Sequence, residues 1–111
     1  MQFVLIIYNG TEESVSDEDK QAAYADYAAL NSMENVTGCP PLGVPENATT
    51  VRVQNGSAAT TQGPYVDLKG AVGGFFIVEA EDLEAAIAVA SRVPQARMGG
   101  AVEVRPSEVS W

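Results

Sequence analysis

The sequence predicts an α+β fold: two helices on one face of an antiparallel sheet, with an inserted hairpin. Three observations predict it. Apolar, β-branched runs open the chain, recur near residue 75 and close it. Two helical patterns with N-cap residues separate them. An Asn-Gly pair joins two further β-type runs.

Phe3 to Tyr8 is apolar and ends at Asn9-Gly10, so it reads as a buried strand. Thr11 to Ser16 is a polar loop. Ser16 stands before Asp17, Glu18 and Asp19, a helix start favoured by side-chain capping and by the macrodipole. That helix is expected to run to about Met33, with Ala23, Tyr27 and Leu30 as its apolar stripe and Tyr24 at its margin. Its many alanines favour close packing on a sheet. From Glu34 to Asn47, Gly38, Pro40, Pro41, Gly43 and Pro45 exclude helix and break any central strand. A loop or a kinked edge strand is expected there.

Thr49 to Gln54, Asn55-Gly56 and Ser57 to Gln62 read as a hairpin with a type I′ turn. Val51 and Val53 share one face; Arg52 and Thr50 share the other. Gly63-Pro64 forms a turn, and Val72 to Glu79 is the next strand. Gly73-Gly74 suits a bulge or close backbone packing better than a phosphate site, because a strand follows and not a helix. Asp82 starts the second helix, whose Leu83, Ala86, Ile87, Ala90 and Val93 follow helical spacing until Pro94. Ala101 to Arg105 alternates as the last strand. The tail from Pro106 to Trp111 is either loosely ordered or docked on a partner. The layout is ferredoxin-like βαββαβ with an inserted hairpin. Its open sheet face needs a cover, which a second copy of the same sheet supplies, giving the dimeric α+β barrel type.

At 111 residues the chain is expected to form one domain. Its composition, 46% hydrophobic against 19% charged, is that of a globular protein. No apolar run reaches the roughly 18–20 residues that a membrane span needs. The start lacks a basic region and a small-residue cleavage site, so no signal peptide and a cytoplasmic location are expected. A net charge of −9 argues against nucleic acid and anionic membrane partners. The chain has no histidine and one cysteine, Cys39. A Ser-His or Cys-His triad is therefore excluded within it, and no metal or other cofactor is implied. Acid–base chemistry would fall to Asp, Glu, Lys, Tyr or Cys39.

One stretch resembles a known family. Gln62-Gly63-Pro64-Tyr65-Val66-Asp67-Leu68-Lys69-Gly70-Ala71-Val72-Gly73-Gly74-Phe75 is similar to the Asp-Gly-Pro-Phe motif region of YCII-related domains. Leu5 to Tyr8, Ala48 to Arg52, Ile77 to Pro94 and Ala101 to Pro106 extend the likeness over nearly the whole chain. The resemblance implies a dimeric ferredoxin-like fold. It also departs from the pattern: Gln62 replaces the first motif acid, Tyr65 the phenylalanine, Asp67 a longer acid and Gly70 a glutamate. A His-Asp chemistry ascribed to some YCII-like proteins cannot transfer to a chain without histidine.

Asp67 and Lys69 lie two apart, so on an extended segment they point the same way. They read either as a cleft acid or base beside an anion-holding lysine, or as an ion pair pinning the turn. Tyr65 is either a hydrogen-bond donor to a ligand or a rim aromatic. Asp67, Tyr65 and Lys69 are the candidate catalytic residues. Arg52 and Tyr8 are candidate ligand-binding residues, each with a plain structural alternative. Cys39 reads as an inert thiol. Two functions stand open. One is a small-molecule-binding, homodimeric domain with a dimer-associated cleft, acting as a histidine-independent lyase, isomerase or cyclase. The other is a non-catalytic accessory or regulatory module. The resemblance implies the latter through the sigma-factor genes that neighbour such domains.

Overall fold

A computed structural model describes residues 1–10, 16–39, 42–66 and 72–108. The strands are β1 (Gln2–Tyr8), β2 (Val36–Gly38), β3 (Thr49–Gln54), β4 (Ser57–Gln62), β5 (Val72–Glu79) and β6 (Ala101–Pro106). The helices are α1 (Asp17–Asn31) and α2 (Leu83–Ala90). A four-stranded sheet runs β2-β5-β1-β6, with every neighbouring pair antiparallel. With the two helices this is a mixed α+β architecture consistent with a ferredoxin-like fold.

Strand β1 lies in the middle of the sheet and alternates cleanly. Phe3, Leu5 and Ile7 are buried while Val4, Ile6 and Tyr8 are partly exposed. Leu5 pairs with Phe76 and Val104, which extends the same face across the sheet. Leu30 of α1 and Val89, Ala90 and Val93 from the α2 region join Leu5, Ile7, Val36, Phe76 and Val78 in one core. Both helices therefore cover the Leu5 face. The opposite face carries Val4 beside Ile77 and Ile6 beside Phe75.

Helix α1 starts as expected, the Asp19 N–H donating to Ser16 Oγ at 3.1 Å. It ends at Asn31, two residues short of the expected Met33. Tyr27 stacks on Phe76 with ring centroids 6.2 Å apart, whereas Tyr24 stands in solvent. Helix α2 is capped by Asp82, whose Oδ1 accepts from the Ala85 N–H at 2.8 Å. Its buried stripe is Ala86, Val89, Ala90 and Val93; Leu83 and Ile87 are about half exposed. The expected stripe was rotated. Small Ala86 and Ala90 let the helix sit close on the sheet, and Val89 takes the inward position that Ile87 was assigned.

The segment after α1 yields a three-residue edge strand, β2, and a short 3-10 turn at Pro45–Asn47. Among the described residues strands β3 and β4 pair only with each other, from Thr49 opposite Gln62 to Gln54 opposite Ser57. Asn55 (φ 52°) and Gly56 (φ 79°) make the turn, both left-handed as a type I′ turn requires. Val51 and Val53 are exposed. In β5, Gly74 opposes Ile7 but Val72 opposes Tyr8, so Gly73 is the extra residue of a bulge. A Cβ there would stand 2.5 Å from Asn9 Oδ1, so a larger residue would have to displace the Asn9 side chain. Both readings of Gly73-Gly74, bulge and close packing, are met. The Ser107 N–H donates to the Gln2 carbonyl at 2.8 Å, so Pro106 and Ser107 continue along β1. Residues 109–111 of the expected tail lie outside the described residues. Among the described residues no helix is long and apolar enough to cross a membrane.

Candidate functional site

The structure brings Arg52 and Tyr65 together. Arg52 projects from β3 opposite Ala59. After β4, Gly63 (φ 105°) turns the chain back: its N–H donates to the Ala48 carbonyl at 2.7 Å, and Thr50 Oγ1 donates to the Gly63 carbonyl at 2.8 Å. Those two bonds close the base of the hairpin. Arg52 Cζ then lies 5.6 Å from the centroid of the Tyr65 ring. At so exposed a site this cation–π contact contributes about 0.5–1 kcal/mol. Its value is geometric, since it presents a guanidinium and a phenol side by side. Asp67 and Lys69 lie outside the described residues.

Tyr8 belongs to a different set. It ends β1 on the open face of the sheet, and its hydroxyl donates to Glu103 Oε2 at 3.3 Å. Glu103 Oε1 accepts from Arg105 Nε on the same strand. One carboxylate is thus held between a phenol and a guanidinium. Both charged side chains keep substantial exposure, 41% for Glu103 and 66% for Arg105, so the pair contributes little to stability. The arrangement can instead hold a polar ligand, with Arg105 offering further donors to an anion and Glu103 accepting a proton.

Sequence reasoning missed Glu103 and Arg105. A signal for them existed. Val102 and Val104 pair with Ile7 and Leu5 on the helix-covered face, so alternation sends Glu103 and Arg105 to the face that carries Tyr8.

A second polar chain runs beneath this end of the sheet. Tyr27 Oη donates to Gln95 Oε1, and Gln95 Nε2 donates to Asn9 Oδ1 at 3.3 Å. Burial raises the Tyr27 pKa above its ordinary value, and the bond to Gln95 opposes that rise in part. Gly10 follows, packed against the backbone of Met98 to Gly100. Cys39 Sγ accepts the Phe75 N–H at 3.2 Å, which makes the thiol part of the strand edge. Among the described residues no group of three or more Cys, Asp or Glu is placed to hold a metal ion.

Comparison with curated proteins returns no match. The model of the YCII-related domain, in contrast, matches residues 1–108, a span that takes in the described helices and strands, the Arg52–Tyr65 pair and the Tyr8–Glu103–Arg105 set. The chain belongs to the YCII-related domain family.

Proposed function

We propose that this YCII-related domain binds a small anionic or carbonyl-bearing molecule in a cleft completed by a second copy of the chain. The observation that carries this reading is the open sheet face. Val4, Ile6, Phe75 and Ile77 form an apolar patch there, and Phe75 is 40% exposed. Tyr8, Glu103 and Arg105 border it. An apolar sheet face with a polar margin suits a sheet-on-sheet dimer whose rim admits a ligand. In this reading β3–β4 is an insertion in a dimeric α+β barrel, and the likeness at Gly63-Pro64 supports a kinship with the Asp-Gly-Pro-Phe subgroup.

The chemistry is of the lyase, isomerase or cyclase type without histidine. Asp67 moves the proton, Tyr65 or Lys69 stabilises developing oxyanion charge, and Arg52 orients the substrate. Sedimentation equilibrium of wild type and Phe75→Glu tests the dimer; the variant should be monomeric and still folded. A metabolite thermal-shift screen on wild type, Asp67→Asn and Glu103→Gln tests the site. The reading fails if wild type is monomeric at all concentrations, or if no metabolite raises its melting temperature.

A second reading, a non-catalytic accessory or regulatory module, is favoured by Gln62 and Gly70, which stand where the family motif carries acids. It predicts a dimer with no metabolite response that captures the product of a neighbouring sigma-factor gene in a pull-down.

A further inference from the structure

We propose that Asn55-Gly56 is a site of spontaneous deamidation, and that the fold protects the chain's other Asn-Gly pair, Asn9-Gly10. The two pairs share the Asn-Gly dipeptide, flanked by Tyr8 and Thr11 in one and by Gln54 and Ser57 in the other, and the structure gives them different surroundings.

In the reaction, the Gly56 backbone nitrogen loses its proton and attacks Asn55 Cγ. The new C–N bond closes a succinimide, and the side-chain nitrogen leaves as ammonia. Water then opens the ring, giving aspartate or isoaspartate. The step requires a free amide, a following residue without a Cβ, and a peptide able to rotate.

Asn55-Gly56 meets these needs. Gln54, Asn55, Gly56 and Ser57 are all exposed. Among the described residues nothing lies within 4 Å of where a Gly56 Cβ would be. Among the described residues, no group hydrogen-bonds the Asn55 side chain. Among the described residues the ladder that carries the turn has two strands, and such a ladder opens readily. Asn9-Gly10 shares the following glycine but lacks the free amide and the mobile peptide. Asn9 Oδ1 is held by Gln95. A Cβ on Gly10 would stand 2.5 Å from the Met98 carbonyl oxygen and 2.9 Å from the Gly100 nitrogen, so backbone cages that peptide.

Isoaspartate would insert an extra methylene into the main chain at the turn and add one negative charge. The Gln54–Ser57 pairing would slip first, and with it the ladder that carries Arg52. Deamidation would therefore age the hairpin while the four-stranded sheet stayed intact.

The test incubates the full-length protein in mildly alkaline buffer and follows both tryptic or Glu-C peptides by mass spectrometry. The Asn55 peptide should gain the deamidated mass about tenfold faster than the Asn9 peptide, in line with the difference in local opening. In urea the two rates should converge. Asn55→Gly keeps a turn-compatible Gly-Gly pair and should abolish the hairpin product without changing Asn9. Equal rates in the folded protein, or faster modification at Asn9, would overturn the proposal.

Discussion

Gly10→Ala isolates close backbone packing from backbone conformation. Gly10 shows no positive φ, so alanine is conformationally admissible there. Its Cβ would nevertheless meet Met98 O at 2.5 Å, Gly99 C at 2.7 Å and Gly100 N at 2.9 Å. All three are main-chain atoms, and no rotamer change relieves them. Carbon contacts prefer roughly 3.5–4.0 Å, so β1 and the 98–100 turn must part by about an ångström. Overpacking of this kind costs about 1–3 kcal/mol. The smaller unfolded-state entropy of alanine returns about 0.4–1 kcal/mol. The net loss is about 1–2 kcal/mol. At about 2.1 cal/mol/K of unfolding entropy per residue, this chain length translates each kcal/mol into roughly 4 °C. The melting temperature should fall by about 4–8 °C, with an unchanged urea m-value. Gly43→Ala is the matched control. Among the described residues nothing lies within 4 Å of its Cβ position and its φ is not positive, so it should be neutral or gain about 2–4 °C. Paired calorimetry decides the matter: if both variants melt together, main-chain crowding at Gly10 has no energetic meaning and the reasoning is wrong.

Leu30→Ala removes the α1 side chain buried in the core and should cost about 2–5 kcal/mol in urea unfolding. Asp82→Ala deletes the bond to the Ala85 N–H and should cost about 1 kcal/mol, visible as faster hydrogen exchange in the first turn of α2. Tyr27 has a raised pKa in the fold, so the stability tied to its protonated form is fully present below pH 10.0 and is lost as pH climbs through its folded value. Tyr27→Phe should therefore lose less stability than wild type between about pH 9 and about pH 11, measured by urea titration at each pH.

Much of the fold was legible because its signals are local. Ser16 and Asp82 cap helices, Asn55-Gly56 sets a hairpin register, and β1 alternates with period two; none of these depends on distant residues. The phase of α2 was less legible. Leu83, Ala86, Ile87, Val89, Ala90 and Val93 satisfy more than one helical stripe, and only docking on the sheet chooses between them. The site was legible in part. Arg52 and Tyr65 are thirteen positions apart, and the turn at Gly63 that joins them was readable from its glycine. Glu103 is separated from Tyr8 by nearly the whole chain, so the bond between them depends on β6 lying beside β1. That neighbour relation has no local signature.

The placement of β1 also bears on the order of synthesis. Its two neighbours, β5 and β6, are made long after it, and its only partners in the sheet are these two. While the ribosome adds the intervening residues, Phe3, Leu5 and Ile7 have no strand to pair with. The hairpin β3–β4 can close early from its own contacts, but the four-stranded sheet cannot be completed until Ala101 to Pro106 has left the exit tunnel. Folding of the sheet is thus a late, largely all-or-none event. A nascent chain arrested before β6 should present the β1 segment to a chaperone, and one released after it should not.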